Sequence, residues 1–135
     1  MSFTFPQKVL FKHCDPAGIV FFPRYFEMMN DCVEAFFDTL GFPFENMHGG
    51  EGGVPTGRIE ARFHAPSRHG DHLNLTLTGR RIGRASFDFT IETVAGEERR
   101  MSYAATLVYI DGRGKSKPWP DALRAGLTDH IKSET

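Results

Sequence analysis

Between His13 and Phe26 the chain reads HCDPAGIVFFPRYF. Asp15 opens the tetrapeptide Asp15-Pro16-Ala17-Gly18, whose order of acid, proline and closing glycine is the composition of a type I turn. A short apolar run then leads to Pro23, a residue suited to the first position of a helix. An acid beside a helix start has a chemical use. A carboxylate can attack an electrophilic carbon or take a proton from water. The unpaired N–H groups of a first helical turn favour negative charge developing on a carbonyl oxygen. Proline has no N–H, so the donors on offer are the backbones of Phe22, Arg24 and Tyr25. The plainer alternative is a turn whose aspartate bonds its own backbone.

These residues need elements to hold them. Phe3 to Phe11 mixes Phe, Thr, Val and Leu around Pro6, which suits an edge strand because proline donates nothing to a ladder. From Pro23, apolar residues recur at Phe26, Met29, Val33, Phe36, Phe37 and Leu40, and Gly41 follows as a stop. This predicts one dominant helix of about 18 residues, roughly 27 Å long. Its acids Glu27, Asp31, Glu34 and Asp38 form a solvated face. Past residue 54 the period changes to two. Ile59, Ala61 and Phe63 alternate with charged residues, followed by Leu73, Leu75 and Leu77 and then Phe87, Phe89 and Ile91. A last long strand runs from Met101 to Ile110, with turns at Gly83 and at Ala95 to Glu98. A short helix follows at about Asp121 to Ile131, with Leu123 and Leu127 as docking residues.

Strand, long helix and four consecutive strands cannot build a parallel sheet, which needs a crossover between each strand pair. The expected fold class is α+β in one domain, residues 1–135: an antiparallel five-stranded sheet wrapped around one long central helix, plus a short C-terminal helix. Such a sheet has open edges and covers only part of its helix, so self-association is expected, at least as a dimer; whether two dimers join into a tetramer is not readable from this pattern. A formal net charge of -1 gives no global field for nucleic acid or an anionic membrane. No apolar run is long enough to insert into a bilayer, and the N-terminus lacks the sustained apolar centre of a signal peptide. Cys14 and Cys32 fit neither a zinc spacing nor a disulfide framework, so a cytoplasmic protein is expected.

The run CDPAGIVFFPRYF resembles the N-terminal signature of the 4-hydroxybenzoyl-CoA thioesterase family, hotdog-fold acyl-CoA thioesterases whose pattern is close to C-D-P-A-G-I-V-W/Y-Y-P-N-Y. GVPTGRIEARFHAPSRHGDHL, from Gly53, is similar to that family's second strand and following turn. The resemblance implies a hotdog fold and hydrolysis of an aryl- or acyl-CoA to free acid and CoA. It makes Asp15 the catalytic carboxylate, as nucleophile or general base, and the backbone N–H of Phe22 the donor that polarises the thioester carbonyl. A superfamily branch associated with the Tol-Pal envelope system carries histidine where this chain has Phe22, so the chain looks more like the aryl-CoA branch. Gly18, Phe21 and Tyr25 are counted as substrate-binding residues; Phe21, Phe22 and Tyr25 either line an acyl pocket or belong to the core.

Coenzyme A carries phosphates, and Arg80, Arg81 and Arg84 cluster around Gly83. The family has a basic triplet here; Arg84 falls on a matching position, whereas Gly83 and Ala85 occupy the other two. No cofactor is called for, since CoA is part of the substrate, and the family's dimer interface implies a pocket built from two chains. The rival expectation is a non-catalytic acyl-CoA-binding hotdog module. His64, His69 and His72 match no zinc spacing, so no metal site is expected. Adjacent His13 and Cys14 make no dyad, since neighbours on an extended segment point apart. HGGEGG, His48 to Gly53, is expected to be a flexible loop able to cover a ligand.

Overall fold

The structure, a computed structural model, describes residues 1–48 and 52–131, so most of the HGGEGG loop lies outside the described residues. Strand β1 (Phe3–Lys8) leads through a 3-10 turn at Phe11–His13 into helix α1 (Phe22–Thr39) and a single helical turn, α2 (Phe44–Met47). Strands β2 (Gly52–Gly53), β3 (Thr56–Phe63), β4 (His72–Ile82), β5 (Ser86–Ala95), β6 (Glu98–Val108) and β7 (Ile110–Asp111) follow, then helix α3 (Asp121–Asp129). The five long strands form one antiparallel sheet in the order β1-β4-β5-β6-β3. As expected, Pro6 sits on an edge strand, where its missing N–H costs no ladder bond.

The central helix starts at Phe22, one residue before Pro23, and stops where the glycine signal predicts. Gly41 takes a left-handed φ of 83°. Its N–H reaches Asp38 O at 3.1 Å, and Phe42 N–H reaches Phe37 O at 3.1 Å, which closes the last turn as a Schellman motif. The buried stripe of α1 is Tyr25, Met28, Met29, Cys32, Val33, Phe36 and Phe37. It packs on the concave sheet face, where Leu73, Leu75, Leu77, Phe87, Phe89, Ile91, Met101 and Tyr103 are buried. Phe36 is fully buried, 5.7 Å from the Phe3 ring and 6.3 Å from Phe87.

The apolar alternation of β3 has a different fate. The register sets Ile59 opposite Ala105, Ala61 opposite Tyr103 and Phe63 opposite Met101, so the row lies on the concave face. Ile59 and Phe63 are nevertheless 48% and 49% exposed. A helix about 10–12 Å wide cannot cover five strands spaced about 4.8 Å apart. The flank left bare is β3.

At the opposite flank, α3 docks through Leu123 and Leu127, and His130 O accepts the Gly79 N–H at 2.8 Å. A Cβ at Gly79 would stand 2.9 Å from that oxygen and 3.0 Å from the Phe87 ring, so only glycine lets the chain end approach this closely.

The 3-10 turn fixes the approach to α1. His13 is buried; its Nδ1 accepts the Leu10 N–H at 2.8 Å and its C=O accepts the Phe21 N–H at 2.9 Å. Burial, with nearby Lys12 and Arg24, pushes the His13 ionisation below its ordinary value against the opposing pull of Glu27 and Asp31. The neutral ring is the folded form. Its contribution to stability is complete above the unfolded value, about pH 6.5, and is lost as pH falls through the lowered folded value. Denaturant titrations at pH 7.5 and pH 5.5 should show the wild type losing stability at the lower pH, and His13→Asn, which keeps an acceptor near Nδ1, losing less. In the core, Phe36→Ala should lower the unfolding free energy by about 3–5 kcal/mol, read as a fall in denaturant midpoint with unchanged slope.

Candidate active site

The acid and the helix start are two sides of one small hairpin. Cys14 bridges Val20 in antiparallel fashion, Asp15 N–H bonds Ile19 O at 3.0 Å, and Phe21 N–H bonds His13 O at 2.9 Å. Gly18, at φ 82°, turns the chain and donates its N–H to Asp15 O at 2.9 Å. Open space surrounds Gly18, so backbone conformation alone requires glycine there. Asp15 Oδ1 accepts the Ala17 N–H at 2.8 Å, which is the self-bonded turn. Its second oxygen takes no hydrogen bond among the described residues, and the side chain is only partly buried.

At the helix start, Phe21 is the N-cap and Phe22 the first helical residue. Sequence alone offers three backbone donors, and the structure narrows them: the Arg24 N–H is taken by Phe21 O at 2.8 Å. The Phe22 N–H meets no acceptor among the described residues. An unpaired N–H at the positive end of an 18-residue helix is a ready donor to a carbonyl oxygen.

Beside this N–H lies a cavity of about 280 Å³ walled by Ile19, Val20, Phe22, Tyr25 and the segment from Phe63 to Pro66. Its lining is mainly apolar and aromatic. The Phe63 ring stands 5.7 Å from Tyr25, 6.2 Å from Phe22 and 6.5 Å from Phe26. Tyr25 is buried, with its hydroxyl on Ser67 Oγ at 2.8 Å; burial raises its ionisation, which keeps it a neutral hydroxyl. Asp15 pairs through its backbone with Ile19, which lines this cavity, but is not itself among the lining residues. Gly18 and the half-exposed Phe21 lie outside its wall.

The arginines lie elsewhere. The hairpin packs on Ser67 and Arg68, just before β4, whereas Arg80 and Arg81 are at the far end of that strand, about 27 Å away at the usual rise. Arg80 lines a separate cavity on the outer sheet face with Arg58, Glu60 and Asp88. Arg84 reaches Ser116 Oγ at 3.5 Å. Within one chain these arginines do not meet Asp15.

Three residues that pattern reasoning passed over hold the hairpin: Ser67, Asp71 and Arg100. Ser67 O accepts the Val20 N–H at 2.8 Å, and Arg100 Nη1 lies 2.7 Å from Asp71 Oδ2. That bond holds the Asp71 carboxyl below the usual carboxylate range. His64 also finds a partner, its Nε2 standing 2.8 Å from Ser102 Oγ.

With this geometry in hand, the comparisons with known proteins agree with one another. Residues 9–127 match the thioesterase-like superfamily. The chain is 28% identical over 130 residues to a 1,4-dihydroxy-2-naphthoyl-CoA hydrolase of Synechocystis, covering 90% of this chain and 94% of that protein. It is 30% identical over 105 residues to a 4-hydroxybenzoyl-CoA thioesterase of Pseudomonas, covering 76% and 63%. The crystal structure of a Synechocystis 1,4-dihydroxy-2-naphthoyl-CoA thioesterase superposes with a TM-score of 0.89 at 22% identity, over 96% of this chain and 97% of that one, and supports the fold. The chain belongs to the thioesterase-like superfamily and is a hotdog-fold thioester hydrolase.

Proposed function

We propose that the chain hydrolyses an aryl- or acyl-CoA, of the kind typified by 4-hydroxybenzoyl-CoA, to the free acid and CoA. The observation that carries this is a pair of groups unsatisfied among the described residues, the second oxygen of Asp15 on the hairpin and the N–H of Phe22 at the helix start that follows it, with Phe22 lining an aromatic-walled cavity. The acyl group fills the cavity against Phe22, Tyr25 and Phe63, and its carbonyl oxygen accepts the Phe22 N–H. The names of the relatives, which act on naphthoyl and benzoyl thioesters, favour an aromatic acyl group.

Two routes suit Asp15. As nucleophile, its oxygen bonds to the carbonyl carbon, the C–S bond breaks with its electron pair leaving on the CoA thiolate, and water then cleaves the mixed anhydride. As general base, it takes one proton from water while the hydroxyl adds to the carbon, and the thiolate leaves as before. One backbone donor to the developing oxyanion is commonly worth roughly 100- to 1,000-fold. Coenzyme A enters as substrate, and neither route calls for another cofactor. The free thiols Cys14 and Cys32 suit a reducing cytoplasm, burial pushing the Cys32 thiol up to about 12. No helix among the described residues is long and apolar enough to cross a membrane.

The unpaired edge of β3 and its bare Ile59 and Phe63 support self-association. Two copies pairing β3 to β3 about a two-fold axis make a ten-stranded sheet and cover each other's apolar row. Such pairing reverses one sheet against the other. The Arg80–Arg84 end of one copy then lies at the same end of the sheet as Asp15 of the other, which lets the phosphates of CoA be met by a second chain. Two such dimers make the tetramer.

The rival reading is a module that binds acyl-CoA without turnover, in which Asp15 serves only as the self-bonded turn residue. Thiol release across aryl-, short-chain and long-chain CoA esters separates the two: Asp15→Asn should lower turnover by roughly 100-fold or more while CoA-ester binding persists, whereas binding without turnover in the wild type supports the module. Ile59→Lys should shift sedimentation toward monomer, with turnover falling in step with the dimer fraction.

A further inference from the structure

We infer that Ser67 and Arg100 are positioning residues for the carbonyl-polarising N–H of Phe22, an inference that rests on the thioesterase reading of this site. Ser67 is fully buried and grips both flanks of that N–H. Its C=O accepts the N–H of Val20, two residues before Phe22, at 2.8 Å. Its Oγ bonds the hydroxyl of Tyr25, three residues after Phe22, at 2.8 Å. The donor is therefore fixed from two sides by one residue of a different segment.

Arg100, on β6, holds Ser67 in turn. Its Nη1 stands 2.7 Å from Asp71 Oδ2, 3.0 Å from Ser67 Oγ and 3.2 Å from Pro66 O, its two hydrogens shared among the three acceptors. The Nε lies 2.6 Å from Glu98 Oε1, an ion-pair contact too poorly aligned for a hydrogen bond, and Glu98 is well exposed. The well-formed bonds of Arg100 thus all go to the turn between Pro66 and Asp71. That turn carries Ser67, and Pro66 also walls the cavity. Asp71 closes the turn by accepting the Arg68 N–H on Oδ2 at 2.9 Å and ties it to the residue after β1 by accepting the Val9 N–H on its backbone oxygen at 2.8 Å.

The Arg100 side chain is only 13% exposed. Burying such a charge adds little stability over an apolar side chain of similar size, but it fixes direction, because its planar donors tolerate few geometries. Direction is what an oxyanion donor needs, since a displacement of about 1 Å can cost roughly 100-fold in rate. Ser67 and Arg100 touch no substrate in this scheme; they act through Val20 and Tyr25 on Phe22.

The test uses wild type, Ser67→Ala, Arg100→Met and Arg100→Lys in two measurements. One is steady-state hydrolysis of the CoA ester that the wild type turns over fastest. The other is the carbonyl stretching frequency of a bound, non-hydrolysable ketone analogue of that ester, which falls when an N–H polarises the carbonyl. Ser67→Ala keeps the backbone bond to Val20 and removes only the Oγ anchor, so it carries the test if Arg100→Met does not fold. The expected result is a kcat lowered about tenfold to 100-fold with KM within about threefold, a smaller carbonyl shift in Ser67→Ala and Arg100→Met, and partial recovery of both readouts in Arg100→Lys. Folded variants with wild-type kcat and wild-type carbonyl shift would overturn the inference and leave the thioesterase reading intact. A wild type that hydrolyses the ester with no carbonyl shift on the bound ketone would overturn both the inference and the role of the Phe22 N–H.

Discussion

Burial of the α1 stripe against the concave sheet face is the constraint on which the rest of the molecule depends. Tyr25, Met28, Met29, Cys32, Val33, Phe36 and Phe37 leave water together, and the concave face of the antiparallel sheet supplies the matching apolar surface. The helix therefore runs along the sheet and its first turn emerges at one corner, beside the entry to β4. Its width also leaves β3 uncovered. One packing event thus creates both the unpaired donor at Phe22 and the bare apolar edge on which the proposed dimer rests.

Hydrogen bonding at that corner follows from the same placement. A helix start has four N–H groups without partners inside the helix, and here proline removes one while Phe21 O satisfies Arg24. Phe22 is left without a partner among the described residues, while its neighbours pair their own polar groups: Asp15 with Ile19 and Ala17, Gly18 with Asp15, Phe21 with His13, and Val20 with Ser67. The two atoms the turn does not use, one carboxylate oxygen and one amide hydrogen, are those that the proposed hydrolysis engages. Neighbouring His13 adds a pH-sensitive support to the same hairpin, since the neutral ring is the form that accepts from Leu10.

Much of this was legible before any coordinates. The period of three to four from Phe26 to Leu40, the glycine stop at Gly41 and the alternating strands gave the element order, because each signal is local and each was obeyed by the packing. The acid turn and helix start were equally local, lying within a few residues of one another. What pattern could not reach was set by long-range contact. The bare face of β3 depends on how wide a helix is relative to a sheet, and its alternation looks the same whether covered or open. Arg100 sits in a charged stretch, Glu97 to Arg100, that reads as solvent-facing, and only its pairing with a turn 29 residues earlier draws it inward. The remoteness of Arg80, Arg81 and Arg84 from Asp15 likewise follows from the direction of β4, which no local motif records.

A crystal structure with the ketone analogue of the best CoA ester tests the central claim most directly. The account predicts a carbonyl oxygen about 3 Å from the Phe22 nitrogen, the free oxygen of Asp15 facing the carbonyl carbon, the acyl group against Phe63 and Tyr25, and the nucleotide on the Arg80–Arg84 segment of a second copy. A carbonyl seated away from Phe22, for instance in the outer-face cavity beside Arg58 and Asp88, would contradict it.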